Sequence, residues 1–259
     1  NIPDGKFDPL TVEPEWMLLS YHKTACASSS RSGFDPQNAF DESIKSAWSA
    51  TSGNSGEWLS VDLGKEYNVE AVQVNFADCF TKKKRAPIKE YGGTFTQERY
   101  IEEELVRYEY RIEYSSNGID WAPYEETQNT VFPHKLIHRR ARARYIRIVF
   151  ASAPYGQNFS ISGLRVFGLG NNKKPSAVSG ENAERTSATE ARLSWNSQND
   201  AMGYCIRLGI APDKLYNSIL LYGQNDYTVT FLNKETEKYY FAVDSFNESG
   251  ITKGSINEF

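Results

Sequence analysis

Gly56-Glu57-Trp58-Leu59-Ser60-Val61-Asp62-Leu63-Gly64, followed shortly by Glu70-Ala71-Val72-Gln73-Val74-Asn75-Phe76, is the stretch whose reading decides the fold. Leu59, Val61 and Leu63 share one parity, and Val72, Val74 and Phe76 share one parity in the next run. Alternate side chains of a strand point to opposite faces, so each run offers an apolar face to a core. Gly64 with the polar Lys65-Glu66 marks where the first strand is expected to end and turn. These two strands are read as the centre of a β-sandwich.

Composition agrees with that centre. With 259 residues the chain is long enough for two domains. Its 14% aromatic content, with 16 Tyr and 14 Phe, favours strands. A formal net charge of −4 lacks the basic excess of a general nucleic-acid binder, and no apolar run is long enough to suggest a membrane span. The first residues, Asn1-Ile2-Pro3-Asp4-Gly5, carry no initiator Met and no signal-like apolar core, so the N-terminus reads as cut. Cys26, Cys79 and Cys205 form no C-x-x-C pair; they read as three small apolar residues, with a Cys26–Cys79 bridge as the other option.

Outward from the centre, residues 1–15 form an extended lead-in punctuated by Pro9 and Pro14. Phe34-Asp35-Pro36 marks a turn, and Asn38-Ala39-Phe40-Asp41 a helical turn or tight loop. From Asp78 to residue 106 alternation is lost; Lys82-Lys83-Lys84-Arg85 is balanced by Glu98, Glu102, Glu103 and Glu104, so the segment reads as a solvated excursion. Tyr108, Tyr110, Ile112 and Tyr114 then alternate with charged residues, and Asn117-Gly118 calls for a tight hairpin with Trp121 packing back on the tyrosines. On the strand 140–150, Arg140, Arg142 and Arg144 share parity with Ile146, Ile148 and Phe150, as if one face ran from a cationic rim into the core. That rim is either simply solvated or an edge that contacts anions or sugars. Residues 171–175 read as a linker.

Four ordered motifs now add up: Gly56–Gly64, Tyr110-Arg111-Ile112-Glu113-Tyr114-Ser115-Ser116-Asn117-Gly118-Ile119-Asp120-Trp121, Ala143-Arg144-Tyr145-Ile146-Arg147-Ile148 and Ser162-Gly163-Leu164-Arg165-Val166-Phe167-Gly168. Together they resemble the coagulation factor 5/8 type C, or discoidin, domain over residues 16–170. The resemblance implies an all-β, eight-stranded jelly-roll sandwich of the galactose-binding-like type. Trp16-Met17-Leu18-Leu19-Ser20-Tyr21 and Val74-Asn75-Phe76-Ala77-Asp78 are similar to copies that follow family-43 type glycoside hydrolases of the xylosidase and arabinofuranosidase kind. This implies a noncatalytic carbohydrate-binding accessory region, with a polysaccharide or oligosaccharide ligand and a catalytic domain upstream. It also implies an extracellular, cell-surface or periplasmic location in a bacterium. The alternatives are a structural accessory region that binds no sugar and a cell-surface adhesion module.

Ligand sites in such modules lie on loops at one end of the sandwich, and sugar binding needs an exposed ring and polar groups. The loops so implied offer Arg31, Phe34, Asp78, Tyr155 and Phe159. Trp48 and Trp58 fall at positions that pack in or near the core. Many relatives hold a structural calcium. Here Asp41 and Ser46 match part of that pattern, whereas Ser43 and Gly163 stand where further oxygens are expected. No other cofactor is implied.

Residues 176–259 show shorter strands. Trp195, Tyr204-x-Ile206, Leu232 and Tyr239-x-Phe241-x-Val243 resemble a fibronectin type III domain, an immunoglobulin-like sandwich smaller than the first. Tyr239 is expected to form its tyrosine corner, and Cys205 to face outward. There is no G-x-S-x-G, H-E-x-x-H or phosphate-binding glycine loop, so no catalytic residue is assigned. His134 and His138 have metal-ligand spacing only on a helix, and here they fall in β-rich surroundings. Asn158-Phe159-Ser160 and Asn247-Glu248-Ser249 are glycosylation sequons, meaningful only in a eukaryotic secretory setting.

Overall fold

A computed structural model describes residues 15–77, 107–130, 134–233 and 238–259. Among the described residues the chain divides into two compact units, 18–168 and 169–259 with 15–17, and its regular structure is almost entirely antiparallel strand.

The first unit is a jelly-roll β-sandwich. Its strands are β1 (Met17–Leu18), β2 (Thr24–Ala27), β3 (Trp48–Ser49), β4 (Trp58–Phe76), β5 (Tyr108–Ser115), β6 (Ala122–Thr130), β7 (His134–Ser152) and β8 (Ser160–Leu169). The ladder runs β1-β8-β4-β7-β5-β6, with β2 added to β4 and β3 to β8.

The central stretch departs from the sequence reading in an informative way. No strand ends at Gly64; β4 is one element of 19 residues, paired along its length with the equally long β7. A straight strand of that length would span about 60 Å. Instead both ends return to one place: Phe150 N–H donates to the Glu57 carbonyl, while the Phe150 ring lies 6.4 Å from that of Phe76. Two register shifts interrupt the ladder: Asp62 pairs with Tyr145 but Tyr67 with Ala143, and Val69 pairs with Ala141 but Ala71 with His138. At the first, residues 63–66 face a single residue of β7, a bulge that re-aims the strand. Gly64 takes φ +89° there, and its N–H is accepted by Asp62 Oδ1 at 2.8 Å. Burial follows odd positions from Leu59 to Ala71 and even positions from Val72 to Phe76, so each arm faces the core. The sequence correctly marks a turn at Gly64, but β7 turns with it and the ladder never breaks.

The arginine row is part of the same corner. Arg144 grips Asp62 through two hydrogen bonds of 2.7 and 2.8 Å, Arg142 meets Glu66 at 2.9 Å and Arg140 meets Glu70 at 2.9 Å. Each cation answers a carboxylate of β4. The parity expectation fails here because the core side of β7 changes from Ala143 to Ile146 across the bend.

At the other end, the aromatic core holds Trp48, Phe76, Tyr108, Tyr110, Phe150 and Phe159. Phe76 stacks on Tyr108 at 4.0 Å and Phe150 on Phe159 at 4.3 Å. The hairpin after β5 is wider than a two-residue turn, with Tyr114 opposite Ala122. Asn117 Oδ1 accepts the N–H groups of Ile119 and Asp120, and Gly118 takes φ +76°. Trp121 packs on Tyr145 at 6.5 Å and under the Arg147 guanidinium at 3.9 Å, not on the β5 tyrosines; Tyr124 takes that place beside Tyr114.

The second unit is a smaller sandwich of two antiparallel sheets. Its strands are β9 (Asn182–Arg185), β10 (Ala191–Ser194), β11 (Gly203–Gly209), β12 (Asn217–Tyr222), β13 (Asp226–Val229), β14 (Tyr240–Asn247), β15 (Gly250–Thr252) and β16 (Asn257–Glu258). One sheet runs β13-β10-β9 and the other β12-β11-β14-β15, with β16 on β14. Leu193, Trp195, Tyr204, Ile206, Phe241 and Val243 alternate inward and fill the space between them. The Tyr239 hydroxyl accepts the Asn233 N–H at 2.7 Å, the back-bond expected of it. Cys205 lies on the face opposite the core residues Tyr204 and Ile206, as expected, and is half-buried there beside Asp244; burial pushes its thiol pKa up. Cys26 and Cys205 are free thiols; Cys79 lies outside the described residues.

Candidate functional site

Three loops interlock at the end of the first unit where both termini of β4 meet. The 28–34 loop is anchored at its start, where Ser28 N–H donates to the Trp58 carbonyl at 3.0 Å. It then reverses, with Phe34 N–H bonded to the Arg31 carbonyl at 2.9 Å. Gly33, at φ +79°, supplies the left-handed third position that such a turn needs. Arg31 N–H and the Phe34 carbonyl both bond to Ser49, which fixes the turn on β3. Asn38 Nδ2 donates to the Gly33 carbonyl of this turn at 3.5 Å and to the Ala47 carbonyl at 3.2 Å.

The 50–57 loop packs against the 153–159 loop. Ala50 N–H donates to the Phe159 carbonyl, Phe159 N–H to the Ser52 carbonyl, and Asn158 Nδ2 to the Ala50 carbonyl. A Cβ on Gly53 would lie 2.3 Å from the Gln157 carbonyl oxygen, so only glycine permits this approach. Gln157 is buried and donates to the Tyr108 hydroxyl at 2.7 Å. Ala77, the last described residue before the 78–106 excursion, donates to the Ser160 carbonyl.

Glu57 is the functional-looking group that sequence reasoning missed. Its carboxylate accepts hydrogen bonds from Ser28, from Ser29 at 2.8 Å and from Ser52 at 2.7 Å. Partial burial pushes the carboxyl pKa up, and the three hydroxyls outweigh that, so it lies below the ordinary glutamate range. The signal was present as hydroxyls at Ser28, Ser29 and Ser52, but nothing in the sequence pairs them with Glu57.

Of the sequence-derived candidates, Arg31 is exposed and Phe34 half-exposed on the same turn. Phe159 is fully buried and stacked on Phe150. It is a core residue that holds the loop, because its backbone bonds to Ala50 and Ser52 draw the ring inward. Asp78 and the side chain of Tyr155 lie outside the described residues. Trp48 is in the core with its Nε1–H donated to the Ser29 carbonyl, and Trp58 is half-buried 5.9 Å from the Arg147 guanidinium.

The implied calcium does not fit these residues. Asp41 Oδ1 accepts the Ser43 N–H at 2.9 Å and Oδ2 the Ser46 hydroxyl at 2.6 Å, so the hydroxyl offered as a ligand points its proton at the carboxylate. The neighbouring anion, Glu42, is held by Arg165. Asn75 Nδ2 lies 2.8 Å from where a Cβ on Gly163 would be. Calcium takes six to eight oxygens, several of them anionic, and among the described residues no three His, Cys, Asp or Glu side chains gather. His134 and His138 sit four apart on β7, about 13 Å along a strand. The Asn158 sequon is buried with its amide bonded to Ala50, so it offers no acceptor in the folded chain.

The second unit has a cavity of about 300 Å³ lined by Asn172, Asp200, Met202, Asn247 and Ser249, among others. Two of its polar side chains are internally committed: Asn247 Nδ2 donates to the Lys173 and Asp200 carbonyls, and the Asp200 carboxylate accepts from Ser176.

In comparison with known proteins, residues 24–97 match the family profile of the F5/8 type C domain. Among solved structures, chitosan-binding module 1 from a chitosanase/glucanase of Paenibacillus sp. IK-5 is 22% identical, with a TM-score of 0.45 over 59% of this chain and 99% of that one. A fucose-binding module of Streptococcus pneumoniae is 17% identical, with a TM-score of 0.41 over 58% and 94%. A Clostridium perfringens module in complex with GlcNAc-α-1,4-galactose is 14% identical, with a TM-score of 0.41 over 60% and 96%. No curated protein sequence matches the chain. Among the described residues, no helix is long and apolar enough to cross a membrane.

Proposed function

We propose that the chain is a noncatalytic carbohydrate-binding accessory region of an extracellular polysaccharide-degrading enzyme of the glycoside hydrolase type, with a fibronectin type III-like second unit as spacer. The observation that carries the reading is the loop end of the first unit. There an exposed guanidinium (Arg31) and a half-exposed ring (Phe34) sit on one hydrogen-bonded turn, above a carboxylate cradled by three serines. An apolar ring suits a sugar face, and charged hydrogen-bonding groups suit its hydroxyls. The F5/8 type C match over residues 24–97 spans this turn and supports the same reading. The Tyr239–Asn233 back-bond and the two-sheet core support the fibronectin-like reading of the second unit.

Affinity-gel electrophoresis of the whole chain against a panel of soluble polysaccharides tests this. Retardation by at least one, weakened roughly tenfold in an Arg31→Ala chain of unchanged Tm, is the expected result. No retardation by any polysaccharide favours the accessory region that binds no sugar.

A further inference from the structure

Glu42 and Arg165 are 123 positions apart in sequence, yet they form a two-point ion pair. Arg165 Nε donates to Glu42 Oε1 at 3.0 Å, and Nη2 lies 2.8 Å from Oε2. The remaining arm of the guanidinium, Nη1, donates to Gln73 Oε1 at 3.0 Å, and Gln73 in turn donates to Asn75 Oδ1. The guanidinium thus joins three pieces of chain: the 40–47 loop, β4 and β8. Both charged side chains are about 30% exposed, which shields the pair partly from water.

The loop needs such a fastening. Glu42 takes φ +58°, a left-handed conformation that a non-glycine residue holds only when contacts impose it. Ile44 at the loop tip is almost wholly exposed and contributes no burial. Inside the loop, Asp41 closes on Ser43 and Ser46 by hydrogen bonds alone. The position expected to bring a carboxylate from the C-terminal strand is Gly163, and two residues on stands a cation instead.

We infer that the Arg165 guanidinium does in this chain what a bound divalent cation would otherwise do: it ties the 40–47 loop to the sheet, and the loop folds without metal. A fixed internal cation makes the fastening independent of ambient calcium and of chelators. Asn38 Nδ2, just before the same loop, reaches both the Ala47 carbonyl at its far end and the Gly33 carbonyl of the Arg31–Phe34 turn, so the clamp is also linked to that turn. The inference does not depend on sugar binding.

Thermal unfolding and hydrogen exchange on the whole chain test it. Excess EDTA and millimolar calcium chloride should leave both Tm and the exchange of the 40–47 amides unchanged. Glu42→Gln and Arg165→Met should each speed exchange in 40–47 by roughly threefold, and the double variant should be no worse than either single one. Slower exchange or a higher Tm with calcium, a lower Tm with EDTA, or wild-type exchange in both single variants would each overturn the inference. Should Arg165→Met fail to fold, Glu42→Gln, which keeps the side-chain shape, decides by the same readouts.

Discussion

Arg144 holds Asp62 by two parallel hydrogen bonds at the first register shift of a 19-residue strand whose two ends return to one place. The pair joins the residue before the bulge to the single β7 residue that faces it. Its geometry is fork to fork, which fixes direction as well as distance. The corner therefore adds an ion pair and a left-handed glycine to the buried side chains of Leu63, Tyr67 and Ala143.

Gly64→Ala tests the glycine. No atom lies within 4 Å of a Cβ built there, so the penalty is conformational alone, at φ +89°. The expected loss is about 1–2 kcal/mol, measured by urea unfolding, with sugar binding intact. A neutral result would mean that the corner can adopt another turn.

Asp62 gives the corner a pH signature. The Arg144 hydrogen bonds, the largest influence, hold its carboxyl below the ordinary range against partial desolvation. A depressed folded pKa stabilises above the unfolded value of about 3.9 and loses that contribution as pH falls through the folded value. Asp62→Asn should lower Tm at pH 7, and the gap to the parent should close as pH is taken below about 4. A gap that stays constant down to pH 3 would assign the effect to packing.

The second unit carries a stronger case. Asp244 has no exposed side-chain surface and accepts from Arg207, Lys253 and the Gly254 N–H. Burial alone would raise its pKa; these donors outweigh burial and hold it low. Asp244→Ala leaves Arg207 without its partner and should destabilise the second unit by roughly 2–3 kcal/mol at pH 7, discounted because Lys253 reaches water. The loss should shrink as pH falls through the folded value, since the parent then forfeits the same interaction. Calorimetry at pH 7 and pH 3 checks both parts.

What the sequence could say, it said through alternation and turn chemistry. The apolar parities of Leu59–Leu63 and Val72–Phe76, the Asn117-Gly118 reversal and the Tyr239 back-bond all reappear in the structure. Long-range polar pairing stayed hidden. Arg140, Arg142 and Arg144 look like an open cationic edge until β4 supplies Glu70, Glu66 and Asp62. Glu57 looks like a surface residue until two hydroxyls from the 28–34 loop and one from its own loop close on it. Phe159 sits in a polar loop, and only the aromatic stack with Phe150 shows that it faces inward. Alternation reports which face a strand buries; it carries no information about which distant side chain answers a charge.

Phe159 and Arg31 should therefore part company on mutation. Phe159→Leu removes a stacked, fully buried ring and should cost roughly 1–3 kcal/mol of stability, and the Ala variant about 3–5 kcal/mol. Arg31→Ala trims an exposed side chain whose backbone anchors to Ser49 and Phe34 remain. It should leave Tm within about 1 °C and weaken retention on a binding polysaccharide roughly tenfold, the worth of one or two charged hydrogen bonds. Phe34→Ala should act on binding more than on stability, since its ring is only half-buried. Titrating each variant by affinity electrophoresis beside a thermal melt separates the two effects. Retention lost with Phe159→Leu at unchanged Tm, or kept in full with Arg31→Ala, would move the ligand away from the turn.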